Sequence, residues 1–140
     1  MFVVLDTNHF RELREDTQAG RRLQKRLVET KADVFTCIVA VEESVQGWLS
    51  LLKRHPPGRA QMTVYARLQS SIEALLQLPI LPFDLEAAAT FERLRPKHPR
   101  IGTMDLKIAA ICLAHDATLL TRNISDFQNI PNLHIENWLD

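Results

Sequence analysis

The chain opens on an unbroken apolar run, Phe2-Val3-Val4-Leu5, that stops at the polar triplet Asp6-Thr7-Asn8. With no polar residue on either face, such a run predicts a strand buried on both sides that feeds a helix. From Thr17 to Glu29 the period changes: Leu23, Leu27 and Val28 share one face while Arg21, Arg22, Lys25 and Arg26 fall elsewhere, the signature of an amphipathic helix. Val34 to Cys37 reads as a second strand. Val41, Val45, Trp48, Leu49 and Leu52 then recur at helical spacing between Val39 and Lys53. His55-Pro56-Pro57-Gly58 breaks that helix, and Gln61 to Leu78 resumes with Tyr65, Leu68, Ile72, Leu75 and Leu76 on a common face, so the two helices form a hairpin closed by Pro79.

Ile80-Leu81-Pro82 leaves room for only a short strand, because proline ends ladder pairing. Asp84 caps a helix to about Leu94, a basic proline-rich loop follows, and Thr103 caps a further helix to about His115. Strands at Thr118 to Thr121 and near Leu133-His134-Ile135 complete the chain. Short apolar strands alternating with helices predict an α/β fold, a central parallel sheet with helices on both faces. No repeat and no linker interrupts it, so residues 1–140 are expected to form one domain.

Composition narrows the function classes. Hydrophobic residues make up 46% and charged residues 24%, and Lys+Arg and Asp+Glu both number 17, so any pull toward nucleic acid must come from local patches. The longest apolar run, Ile108 to Ala114, is far short of the roughly 20 residues of a membrane-spanning helix. Met1 to Leu5 has no basic flank and does not read as a signal peptide, so a cytoplasmic protein is expected. Cys37 and Cys112 lie in apolar stretches without a C-x-x-C pair and are expected to be buried, reduced thiols.

In open parallel sheets, ligands bind beyond the carboxyl ends of the strands. Asp6 sits there directly, Glu43 follows the second strand, Asp105 opens the helix before the fourth strand, and Asp126 follows that strand. Each has a plainer reading: Asp6 as a helix cap, Asp105 as a helix-dipole partner, Glu43 as an exposed helix acid, Asp126 as a turn former. Together they mass like charges on one edge, which is unfavourable without a cation, and hard oxygen ligands suit magnesium or manganese.

Four segments carry a resemblance: Val4-Leu5-Asp6-Thr7-Asn8; Glu43-x-x-x-Gly47 after Ile38-Val39-Ala40-Val41; Ile101 to Ala110; and Thr118 to Phe127. With them the chain resembles the PIN-domain ribonucleases, most of all the single-domain VapC-type toxins, nearly end to end. The resemblance implies a PIN-like fold and an endoribonuclease dependent on Mg2+ or Mn2+. Asp6, Glu43, Asp105 and Asp126 would form its acidic cluster, with Asp6, Asp105 and Asp126 as metal ligands and Thr7, Asn8, Thr121 and Asn123 in support. It also implies a small antitoxin partner that covers the acidic groove, and a homodimer. Two features depart from the family pattern: Glu42 stands beside Glu43 as an alternative site acid, and Asp116 stands where relatives commonly have glycine after the helix-ending His115.

The five histidines, His9, His55, His98, His115 and His134, show no ligand spacing with the acids and read as surface or helix-end residues. Two basic clusters are candidate guides for RNA, each with a plain solvated surface as its alternative: Arg21, Arg22, Lys25 and Arg26 on the first helix, where the solvated face is the plainer reading, and Arg93, Arg95, Lys97 and Arg100, with His98, which lead toward Asp105 and lie nearer the site. Trp48 and Tyr65 fall on apolar helix faces, which predicts core or dimer contact for the helical hairpin rather than base stacking. Two other functions compete with the ribonuclease. An α/β phosphatase would use Asp6 as nucleophile, but Asn8 stands where a second acid belongs. A noncatalytic RNA-binding or adaptor module would not need all four acids.

Overall fold

A computed structural model describes residues 1–140. Five strands, β1 (Phe2–Leu5), β2 (Asp33–Cys37), β3 (Ile80–Leu81), β4 (Thr118–Leu120) and β5 (Ile135–Glu136), form one sheet in the order β3-β2-β1-β4-β5. Every pairing is parallel, and central β1 is in register with β2 at Val3↔Val34 and with β4 at Val3↔Thr118. Seven helices connect them: α1 (Thr7–Arg14), α2 (Gln18–Thr30), α3 (Ile38–Leu52), α4 (Met62–Leu75), α5 (Leu85–Leu94), α6 (Thr103–Ala114) and α7 (Ile124–Phe127). No helix is long and apolar enough to cross a membrane.

The unbroken apolar strands divide their side chains between two cores, as the two-residue period of a strand requires. Val4 and Leu119 point to one face, where Ala87 and Leu94 of α5 and Leu106, Ala109 and Ile111 of α6 cover them. Val3, Leu5 and Leu120 point to the other, packed by Phe10 of α1, Leu23 of α2, Leu75 of α4, and Trp138 and Leu139 of the C-terminal segment. Val3, Val4 and Leu5 are therefore sealed on both faces; Phe2, expected to be buried with them, is half exposed at the amino end, and the carboxyl end opens at Asp6. Cys37 and Cys112 are free and buried in the first core. Burial pushes the Cys37 thiol up to about 11 and the Cys112 thiol well above its ordinary value.

Helix starts follow the polar residues at their boundaries. Thr17 Oγ1 accepts from the Gly20 amide at 2.9 Å, and Asp84 Oδ1 accepts from the Ala87 amide at 3.0 Å. Gly20 has a second duty: a Cβ there would strike the carbonyl oxygens of Glu12 and Glu15, so α2 closes on α1 only through glycine. Thr103 is not a cap; Gly102 takes that position without a side-chain bond, and Thr103 is the first helical residue. The last strand also lies slightly later than its apolar pattern suggests, at Ile135–Glu136, because pairing to β4 is through Leu119 and Leu120.

Asp116 follows α6 in the left-handed region, with φ of 51°. The Ala117 amide donates to the Cys112 carbonyl at 2.9 Å and the Asp116 amide to the Leu113 carbonyl at 3.3 Å, a Schellman closure that favours glycine. Lys31 closes α2 in the same way, also with φ of 51°. An L-residue is strained in this region and Asp less than most. Asp116→Gly is therefore expected to stabilise the fold by about 0.5–1 kcal/mol, a rise of roughly 1–4 °C in melting temperature. Calorimetry showing a lower Tm would refute the strain.

Candidate active site

Beyond the carboxyl ends of β1 and β4 the helices part around a cavity of about 110 Å³. Its rim carries Asp6, Thr7, Asn8, Glu43, Asp105, Thr121 and Asn123, and Ile108, Leu119 and Phe127 form its apolar lining. Seven of the eight residues singled out as site acids and their supports thus line one cavity.

The backbone aims each of them. The Asp6 amide donates to the Leu120 carbonyl at 3.1 Å, which extends the β1–β4 ladder one residue into the site. Asp6 is also the N-cap of α1: its Oδ1 accepts from the His9 amide at 2.8 Å. The capping and site-acid readings of Asp6 therefore hold together. Thr7 Oγ1 donates to Glu43 Oε1 at 3.4 Å, joining the start of α1 to α3. Thr121 is buried, and its Oγ1 accepts from the Asn123 amide at 3.0 Å, fixing the turn that leads to Asp126. Glu42, the alternative acid, is exposed and outside the cavity rim, whereas Glu43 is half-buried on it.

Asp126 occupies a different place. It is exposed in the first turn of α7 and lines an adjoining hollow with Lys97, His98, Arg100 and Ser125. Its charge nevertheless reaches Asp105, so the fourth acid flanks the cavity rather than lining it. Of the basic candidates, Lys97 and Arg100 share that hollow and Arg93 is exposed on α5. Arg95 has a structural task, with Nη2 donating to the carbonyls of His98, Pro99 and Ile101 at 2.9, 2.9 and 2.7 Å and so holding the loop that carries its neighbours.

Electrostatics record the crowding. Burial holds the Glu43 carboxyl above the ordinary carboxylate range, with repulsion from Asp105 next, Asp6 and Glu42 adding to it, and the Thr7 hydroxyl opposing it. Asp105 is raised by burial first, then by Asp126 and Asp6. No three acidic, histidine or cysteine side chains stand close enough together to hold one ion as they are arranged. The donor set is nonetheless all hard oxygen, and Mg2+ characteristically takes one or two carboxylates and keeps several waters. A magnesium-like ion suits these residues; a closed cage of protein ligands does not.

Two neighbours of the cavity escape a reading by spacing alone. His9, expected at the surface or a helix end, is fully buried one turn into α1 and bonds Asp6. The signal was present as a residue three positions after a capping acid, which brings both onto one turn. Trp48 does not face outward with Tyr65; it lines a cleft with Phe10, Arg11, Arg14 and Leu51 that opens from the acidic cavity and shares Thr7 and Glu43 with it.

A family model described as the PIN domain matches residues 3–133. The chain belongs to the PIN-domain family. This PIN domain is 39% identical over 75 residues to ribonuclease VapC2 of Rickettsia felis, a stretch that covers 50% of this chain and 56% of the relative, so the chain spans about half of that protein's length. It is 28% identical over 133 residues to the VapC ribonuclease Y4jK of Sinorhizobium fredii, covering 90% of each. Among solved structures, VapBC2 from Rickettsia felis bound to a DNA fragment from its promoter superposes with a TM-score of 0.76 at 25% identity, over 99% of both chains.

Raised carboxyls have a consequence for stability. Between its ordinary and its raised pKa such an acid binds more protons folded than unfolded, so stability falls as pH rises through that window and the loss is complete above it. In EDTA at pH 7, Asp105→Asn is therefore expected to melt roughly 1–4 °C above wild type, with the gain shrinking as pH falls into the ordinary carboxylate range. Asp126→Asn, at an exposed position, should gain less. A thermal-melting series from pH 4 to 8 tests this; a lower melting temperature for Asp105→Asn at pH 7 would contradict it.

Proposed function

We propose that this PIN domain is an endoribonuclease dependent on Mg2+ or Mn2+, and the toxin of a toxin–antitoxin pair. The observation that carries this reading is the cavity at the strand edge, where Asp6, Glu43 and Asp105 crowd with two of the three held above the ordinary carboxylate range. The relatives named as VapC ribonucleases and the superposition on a VapBC structure support it.

Asp6 and Asp105 would hold the ion directly, with waters completing its shell and Asp126 reaching it through one of them from the flank. When bound, such an ion lowers the pKa of water and offsets phosphate charge. Glu43, with its raised affinity for protons and its Thr7 partner, is placed to accept a proton from the attacking water. Asn8 and Asn123 offer amide groups at the rim, and Thr121 holds the turn that carries Asn123. Lys97 and Arg100 beside Asp126 supply phosphate contacts that hold an RNA strand without reading its sequence. A phosphatase using Asp6 as nucleophile is disfavoured, since position 8 is Asn where a second acid belongs.

The cleft between α1, α3 and α4 gives an antitoxin segment a route to the acids, with an apolar floor at Phe10 and Leu51 and Trp48 on its wall. A second copy of the chain has a separate face. Tyr65 and Ile72 on α4 and Leu76 just past its end recur at helical spacing and are exposed, Tyr65 by 54% and Leu76 by 67%. The cytoplasm, where RNA and antitoxin meet, is the expected location.

Purified protein is expected to cleave single-stranded RNA with Mg2+ or Mn2+ and to stop in excess EDTA. Asp6→Asn and Asp105→Asn should each lower the rate on the order of 100-fold or more, about 3 kcal/mol of barrier, with circular dichroism unchanged. Cleavage that survives chelation would remove the metal from the reaction, and an active, folded Asp105→Asn would move the site elsewhere. In sedimentation, wild type should run as a dimer at micromolar concentration and Ile72→Glu with Leu76→Glu as a monomer; a monomeric wild type would exclude the α4 contact.

A further inference from the structure

His9 is fully buried, yet both of its ring nitrogens are engaged. Nε2 lies 3.2 Å from the Trp138 amide nitrogen, and Nδ1 lies 3.1 Å from Asp6 Oδ1. An amide N–H only donates, so Nε2 must be the bare acceptor and the ring proton must sit on Nδ1, where it donates to the carboxylate. The hydrogen-bond pattern fixes a single neutral tautomer.

Asp6 Oδ1 accepts from this ring and from the His9 amide at 2.8 Å, while Oδ2 takes no hydrogen bond from the protein. Helix capping needs only the amide, which any residue at position 9 except proline would supply. The ring bond is therefore additional, and an apolar side chain would fill a buried position without the desolvation a histidine requires. The far end of the ring is anchored as firmly as the near end. Trp138 is buried beneath the Arg26 guanidinium at 4.6 Å from its ring, and Arg22 Nε and Nη2 donate to the Leu139 carbonyl at 2.9 and 2.7 Å.

We propose that His9 is a positioning residue that braces the Asp6 carboxylate against the C-terminal segment, holding Oδ1 so that Oδ2 is left to the site. The inference rests on Asp6 being a site acid. Carboxylates that bind metal are themselves oriented by hydrogen bonds from behind, and loss of such a partner characteristically costs 10- to 100-fold in metal affinity or activity. His9 fills that place from the core side of the cavity.

Two substitutions separate the two ends of the brace. In His9→Gln the longer amide reaches the Nε2 position and can accept from Trp138 while releasing Asp6. In His9→Asn the shorter amide reaches the Nδ1 position and can donate to Asp6 while releasing Trp138. Mn2+ affinity by titration calorimetry, kcat and KM on a single-stranded RNA, and Tm are measured for both. The expected result for His9→Gln is Mn2+ affinity and kcat lower by about 10- to 100-fold, with KM for RNA unchanged. His9→Asn should recover most of that loss although it melts lower than wild type.

Mn2+ affinity and kcat that merely follow the order of melting temperatures, or that survive intact in His9→Gln, would reduce His9 to a packing residue. An Asp6→Asn control keeps the two readings apart. If it abolishes Mn2+ binding while His9→Gln does not alter it, only the brace fails; if Asp6→Asn changes neither binding nor cleavage, the site assignment fails and the brace with it. A wild-type measurement needs no folded variant: 15N spectra of the histidine ring at pH 7 should show the proton on Nδ1, and a proton on Nε2 overturns the proposal.

Discussion

A central parallel strand that is apolar on both faces can meet water only at its ends, and that constraint organises the molecule. Val3, Val4 and Leu5 are fully buried, so the first polar residue after them must lie where the sheet stops and the helices diverge. Asp6 is that residue. Because β4 runs parallel beside β1, its own exit places Thr121 and Asn123 at the same edge, and the helices packed behind the sheet bring in Glu43 and Asp105. Chemistry converges because topology leaves one opening for it.

The same arrangement works against the metal-free fold. Glu43 and Asp105 are half-buried acids facing other acids, and nothing cationic from the chain neutralises them within the cavity. The nearby basic groups act elsewhere: Arg95 holds its own loop, and Lys97 and Arg100 lie across the hollow that Asp126 shares. Stability is supplied by two apolar cores rather than by the site, which leaves the acids free to be arranged for a ligand.

Much of this was legible in the amino-acid order. The apolar run at Phe2 to Leu5, the helical spacing from Val41 to Leu52 and the cap at Asp84 each follow from local rules, and the structure places elements there. The acids were legible because they sit at element boundaries. What escaped depends on distance in space. His9 and Trp138 are separated by nearly the whole chain, and no spacing rule joins an imidazole to an amide that far away. Nor does helical periodicity show that Trp48 walls a cleft while Tyr65 faces outward, since both fall on apolar faces whose partners are set by how α1, α3 and α4 pack. The split of Asp126 from the other acids likewise follows from the short α7 turn, which four residues scarcely announce.

The two free cysteines give the core a built-in reporter. Cys37 caps α3, a few residues before Glu43, and Cys112 lies on α6, two turns beyond Asp105, both within the cluster that contains the cavity-lining Leu119. With the Cys37 thiol held at about 11 and the Cys112 thiol pushed well above its ordinary value by burial, almost no thiolate exists at neutral pH in the closed molecule. Alkylating reagents can therefore act only on molecules that have opened. The rate of labelling becomes a clock for the breathing of the scaffold beneath the acids, independent of any substrate.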